Sequence, residues 1–239
     1  MFNYLAPAQQ VWLIGLLVLW AVFLFGGYIF GTGERRMPAW TRLASSAVLV
    51  LAAWSWFVVN RGSFSLLLAL GMTLGFVGDL WLAGALPLGR SVIGGIVAFG
   101  IGHIFYISAI LYFGNQNGLN APTPRWGALA IWLLVGLAGW YLVVFRGQEV
   151  TALHWAALPY ALLLASTAGL ATGLALQSTH FIPLAIGAAL FLLSDLILAG
   201  ELFSDLQFPL IGDVIWLTYG PGQALIVYAA SVVYYFGNR

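Results

Sequence analysis

The sequence predicts an all-α polytopic membrane protein of eight transmembrane helices, arranged as two parallel-related four-helix halves. Three observations predict it. Of 239 residues, 62% are hydrophobic and only 6% charged, and the mean hydropathy is +1.00, whereas a soluble domain carries about 25% charged residues. Apolar runs of about 20 residues, the length needed to cross hydrocarbon, recur along the whole chain. Finally, one stretch occurs twice: "GMTLGFVGDLWLAG" at 71–84 and "GAALFLLSDLILAG" at 187–200.

The runs fall near 10–30, 40–59, 64–84, 91–113, 126–145, 151–173, 180–200 and 209–235. The first follows "MFNYLAPAQQVWLIG", which has no basic segment and is expected to span rather than to be a cleaved leader. The connections "GTGERRMP", "NRGS", "LPLGR", "GNQNGLNAPTPR", "FRGQE", "QST" and "LFSDLQFP" each carry Gly, Pro, Asn or a charge. Trp and Tyr crowd the helix ends, as in interfacial belts. No linker separates two domains, so residues 1–239 read as one membrane domain with pseudo-repeat halves of about 1–120 and 121–239. Long unbroken runs argue against a transmembrane barrel.

Arg35, Arg36, Arg42, Arg90 and Arg146 fall on one side of such a topology and Arg61, Arg125 and Arg239 on the other. The arginine-rich side is expected to be cytoplasmic, with both termini outside. Eight Arg nearly balance seven acids, which gives no surface for nucleic acid. With no Cys, disulfides, thiol catalysis and thiolate metal sites are excluded. Absence of Lys fits a GC-rich bacterial source, hence a bacterial cytoplasmic membrane.

The repeat sets Asp79 on helix 3 and Asp195 on helix 7, 116 residues apart. Four helices on, the chain runs the same way through the membrane, so the repeat is of the parallel type. The same offset relates His103 on helix 4 to Tyr219 on helix 8. An ionised Asp at the bilayer centre costs about 2.5–3.5 kcal/mol on insertion scales, so both aspartates are expected inside the bundle. Gly71, Gly75, Gly78 and Asp79 share one helical face, as do Gly187, Ser194 and Asp195. Each Asp stands five residues before the Gly that is expected to close its helix, about 7–8 Å along the axis. The two carboxylates are therefore expected at one end of the bundle. A purely structural role, each Asp bonding a neighbouring helix, would explain one such residue more readily than a symmetric pair.

Other polar residues join this set. His103 lies mid-helix in "FGIGHIFYISA" with Tyr106 one turn on, and Tyr160 stands in helix 6. Tyr219 and Gln223 share a face in "LTYGPGQAL", where Pro221 should kink helix 8. His154 and His180 fall at helix starts and read as interfacial. Glu34, Glu149, Glu201 and Asp205 read as solvated, and Asp213 stands one turn into helix 8. Asp79, His103 and Asp195 form a conceivable two-carboxylate, one-histidine metal set, but no metal motif supports it, and neither a metal nor a cofactor is expected. No GxSxG elbow, P-loop or dinucleotide fingerprint occurs.

"GDLWLAG", "GHIFYISA", "LSDLILAGELF" and "TYGPGQALIV", in this order and spacing, resemble the lysoplasmalogenase-like (YhhN-type) family of integral membrane proteins from about residue 40 onward. The chain departs from the family's usual pattern at Arg42-Leu43, where a Lys-Pro pair is common. It also departs at Gly220-Pro221, where a second Tyr often follows Tyr219, and at Gly200, often Asn. The resemblance implies hydrolysis of the vinyl ether bond of lysoplasmalogens, giving a fatty aldehyde and glycerophosphoethanolamine or glycerophosphocholine. The chemistry of that bond suits two carboxyls. Its β-carbon must be protonated and the resulting oxocarbenium-like cation steadied and attacked by water, a division of labour between a protonated and an ionised acid. Asp79 and Asp195 are the candidate catalytic pair, in either order. His103, Tyr106, Tyr160, Ser194, Tyr219 and Gln223 are candidate supporting groups, and Arg42 a candidate for the head-group phosphate. The expected partners are a lysophospholipid and the surrounding membrane lipids. The competing reading is a proton-coupled transporter or lipid-moving protein that uses the same aspartates.

Overall fold

The computed structural model describes residues 4–33, 35–87 and 89–236. Glu34 and Arg239 lie outside the described residues. Among these residues the only regular structure is helical, without strands. Backbone groups in lipid must bond within the chain, and helices achieve this locally. The long helices are α1 (Pro7–Phe30), α2 (Ala39–Asn60), α3 (Ser63–Ala83), α4 (Val92–Gln116), α5 (Pro122–Phe145), α6 (Ala152–Ala175), α7 (Thr179–Phe203) and α8 (Ile211–Tyr228). The first seven are long and apolar enough to cross a membrane. The sequence predicted eight such helices. The last, α8, falls outside that group because it carries Asp213, Gln223 and the helix-interior Pro221.

Local chemistry sets the ends. Proline occupies the first turn of α1 and α5, where its missing N–H costs nothing. The Ser91 hydroxyl accepts from Gly94 N at 2.9 Å and caps α4. Gly84, at φ +70°, ends α3 in the left-handed region that glycine tolerates. Its repeat partner Gly200 does not close α7, which runs one turn further to Phe203. At the start of α6, Thr151 and His154 cap each other, and His154 is buried. His180, at the start of α7, is exposed and stacks on Tyr235. Two long helices carry a π-helical segment, Val22–Gly26 in α1 and Trp140–Phe145 in α5.

The helices close into a ring. α2 packs on α3, α3 on α4, α4 on α6, α6 on α7, α7 on α8, and α8 back on α2 and α3. α1 lies outside against α2, and α5 outside against α6 and α7. Glycine permits close helix approaches on α3 and α7. A Cβ on Gly71 would come within 2.3 Å of the Tyr106 ring and 3.0 Å of the Gly102 carbonyl. A Cβ on Gly187 would come within 2.7 Å of the Gly222 carbonyl.

Asp213 has a structural task. Its two carboxylate oxygens accept from Arg36 N and Met37 N, both at 2.8 Å, and thereby pin the α1–α2 connection onto α8. Asp213→Ala would strand the buried Met37 N–H, at about 1–3 kcal/mol, and free the Arg36 N–H to solvent. The expected result is a clearly lower thermal midpoint in detergent, partly recovered in Asp213→Asn, which keeps one acceptor oxygen. An unchanged midpoint in Asp213→Ala would remove the role.

Candidate functional site

Asp79 is 4% exposed on the inner face of α3. Its Oδ2 accepts from the Ser46 hydroxyl of α2 and, at 3.0 Å, from the Tyr219 hydroxyl of α8. The Tyr219 oxygen in turn accepts from Gln223 Nε2 at 3.2 Å. Gln223 Oε1 accepts from the Tyr106 hydroxyl of α4 at 2.8 Å. Hydrogen bonds therefore run in one sense from Tyr106 through Gln223 and Tyr219 to Asp79, joining α4, α8 and α3 and buried at every step. Tyr219 and Gln223 share their face on α8, as their spacing requires.

Asp195 on α7 accepts from the Tyr160 hydroxyl of α6. Pro159, inside α6, directly precedes that tyrosine. Ser194, one residue from Asp195, turns away and donates to the Ile215 carbonyl at 3.0 Å, so it clamps α7 to α8. His103 Nδ1 meets the Thr167 hydroxyl at 2.9 Å. That hydroxyl also lies 3.1 Å from the Leu163 carbonyl. His103 Nε2 is buried without a hydrogen-bond partner among the described residues.

Aromatic rings connect the two carboxylates. Tyr219 packs edge-on against Phe191 with centroids 5.1 Å apart, Phe191 against His103 at 4.6 Å, and His103 against Tyr160 at 6.2 Å. Each carboxylate also lines its own cavity. Asp195 borders an apolar chamber of about 70 Å³ with Phe99, Trp140, Leu164, Leu192 and Leu196 among its walls. Asp79 borders a polar cleft of about 240 Å³ that includes Arg35, Arg42, Arg90, Glu201 and Trp216. Leu82 and Leu198 line both. The Arg42 guanidinium lies over the Trp216 ring at 5.6 Å. Its Nε is buried with no hydrogen-bond partner among the described residues. Glu201, expected to be solvated, instead pairs with Arg35 at 2.8 Å beside this cleft.

The structure thus brings Asp79, Tyr219, Gln223 and Tyr106 into one chain and pairs Tyr160 with Asp195. Arg42 lies in the cleft of Asp79, and Ser194 is drawn away into helix packing. Among the described residues no three His, Asp or Glu side chains gather as a ligand set, so Asp79, His103 and Asp195 do not form the conceived metal site. Sequence reasoning missed Ser46, Thr167, Arg35 and Arg90. A weak signal existed for Ser46 in the Ser45-Ser46 pair of "LASSAVLV", although Ser in an apolar helix often just bonds its own backbone, as Ser45 does to the Arg42 carbonyl.

Fold and site together define a multi-pass, all-helical membrane protein with two interior carboxylates, one on an apolar chamber and one on a basic cleft. The chain belongs to the YhhN family, whose model matches residues 38–230. Searches of curated proteins and of solved structures each returned no match.

Proposed function

We propose that the protein is a membrane-embedded hydrolase of the lysoplasmalogenase type, which cleaves the vinyl ether bond of a lysoplasmalogen into a fatty aldehyde and a glycerophospho-alcohol. One observation carries this reading: an apolar chamber and an arginine-lined cleft meet at shared walls, with one carboxylate on each. A lysolipid has the same layout. Its hydrocarbon chain would enter from the apolar chamber and its phosphate would meet the arginines, because guanidinium donors match phosphate oxygens. The bond between chain and glycerol then falls beside the two carboxyls. Membership of the YhhN family, a lysoplasmalogenase-type family, supports the same activity.

The reading includes eight spans in two parallel-related halves. The packing supports it, since moving four helices along maps α1–α2 onto α5–α6, α2–α3 onto α6–α7, α3–α4 onto α7–α8 and α4–α6 onto α8–α2. The repeated π segments and the Gly71–Gly187 equivalence support it too. In this arrangement α8 crosses inside the ring with its polar side chains satisfied by other helices. The membrane is read as the bacterial cytoplasmic one, with the arginine cleft facing the cytoplasm.

The test uses purified protein in detergent, with an alkenyl lysophosphoethanolamine beside its acyl ester analogue. Aldehyde should form from the vinyl ether, with the ester left intact and no gradient needed. No aldehyde in detergent, together with pH-driven flux in sealed vesicles, would instead establish a proton-coupled transporter.

A further inference from the structure

We propose that Asp195 is the proton donor of the pair and Asp79 its ionised carboxylate. The assignment rests on the vinyl ether reading and deepens it. Two independent observations lead to it.

The first is the order of the cavities. In a lysoplasmalogen the double-bond carbon on the chain side receives the proton, and the carbon bonded to oxygen, on the glycerol side, becomes cationic and receives water. A substrate with its chain in the apolar chamber and its phosphate among the arginines presents the first carbon to Asp195 and the second to Asp79. Water reaches the reaction from the polar cleft, where Asp79 stands.

The second is the direction of the hydrogen bonds. Ser46 and Tyr219 both donate to one oxygen of Asp79, and the amide of Gln223, oriented by Tyr106, leaves the Tyr219 proton directed at that oxygen. Donated hydrogen bonds favour the charged form of a carboxyl, and Asp79 receives two of them. Asp195 receives one donor among the described residues, Tyr160, and its chamber is walled by Leu164, Leu192 and Leu196. Such a wall offers no dipoles to a charge.

The protons then balance. Asp195 gives its proton to the chain-side carbon, and the double-bond electrons form the new C–H bond. The neighbouring carbon becomes the oxocarbenium facing Asp79. Water bonds to that carbon and passes a proton to Asp79, leaving a hemiacetal. The hemiacetal then collapses: its O–H proton goes to Asp195, the carbon–glycerol oxygen bond breaks, and the departing oxygen takes the proton from Asp79. One water is consumed, aldehyde and alcohol leave, and both carboxyls return to their starting states.

The test adds a binding measurement to the kinetics. The probe is an N-alkyl-amino lysolipid whose secondary ammonium stands where the cation develops, a charge mimic of the transition state. Asp79→Asn should weaken its binding by about 10-fold or more, and Asp195→Asn should change it less than about 3-fold. In aldehyde release, Asp79→Asn should keep residual activity that is lost as pH rises, because that activity needs the protonated Asp195, while Asp195→Asn should be the slower of the two. If an Asn variant aggregates, the protonated-carboxyl infrared band should shift in Asp195→Glu and not in Asp79→Glu. Probe binding lost in Asp195→Asn but kept in Asp79→Asn, or the infrared pattern reversed, overturns the assignment while the hydrolase reading stands. Absence of aldehyde from the wild-type protein overturns the reading and the assignment with it.

Discussion

Asp79→Asn combined with Asp195→Asn is expected to slow aldehyde release by at least about 10³-fold and to be no slower than the worse single variant. General acid–base catalysis by one positioned group contributes about 10²–10⁴-fold. Groups that act as one unit do not add their losses, since removing either already disables the step the other serves. The proton cycle links the two aspartates in this way: each returns the proton the other's step requires. Two residues that merely bonded neighbouring helices would behave differently. Asp79 joins α3 to α2 and α8, and Asp195 joins α7 to α6. These are separate contacts whose effects on stability should add. The measurement is therefore double: aldehyde release and thermal midpoint for both singles and the double variant. Non-additive rates with roughly additive midpoints fit catalysis. Additive rates that track the midpoints would reduce both aspartates to structural roles.

How much of this was legible in the sequence follows the range of each interaction. Helix extent depends on local apolar runs, and the first seven predicted spans lie within a few residues of the helices found. Asp79 and Asp195 could be aligned because a repeat needs only one sequence compared with itself. The Tyr219–Gln223 pair was legible because residues four apart share a helix face. What escaped depends on how separate helices meet. Nothing near Ser194 shows that it bonds the Ile215 carbonyl while Asp195, one residue on, faces Tyr160. Asp213 looked like a helix residue of no clear task because its partners, Arg36 N and Met37 N, lie some 176 residues away. Glu201 looked solvated because Arg35 is equally remote. The closing glycine failed at Gly200 because the residue one turn on can remain helical there, whereas Gly84 adopts φ +70°.

Arg42 carries the second large expectation. Arg42→Ala should raise KM for a phosphate-bearing lysoplasmalogen by about 10–100-fold, with a smaller effect on kcat. A hydrogen bond to a charged group contributes about 1.5–3 kcal/mol, and about 1.4 kcal/mol is tenfold in affinity. Two features make Arg42 the strongest of the three cleft arginines. Its Nε is buried without a partner among the described residues, so a phosphate oxygen would supply a missing acceptor. Its guanidinium lies over Trp216, which fixes the plane of the fork. Arg35, by contrast, is already paired with Glu201. Arg42→Lys should recover only part of the loss, because an ammonium restores the charge but not the planar two-donor face. The discriminating measurement repeats the assay with an alkenyl glycerol that lacks the phosphate. If Arg42 acts on the phosphate, that substrate should be poor with the wild-type protein and nearly indifferent to Arg42→Ala. An equal loss on both substrates would mean that Arg42 supports the cleft through its packing on Trp216, and the phosphate would then belong to Arg90 or Arg35.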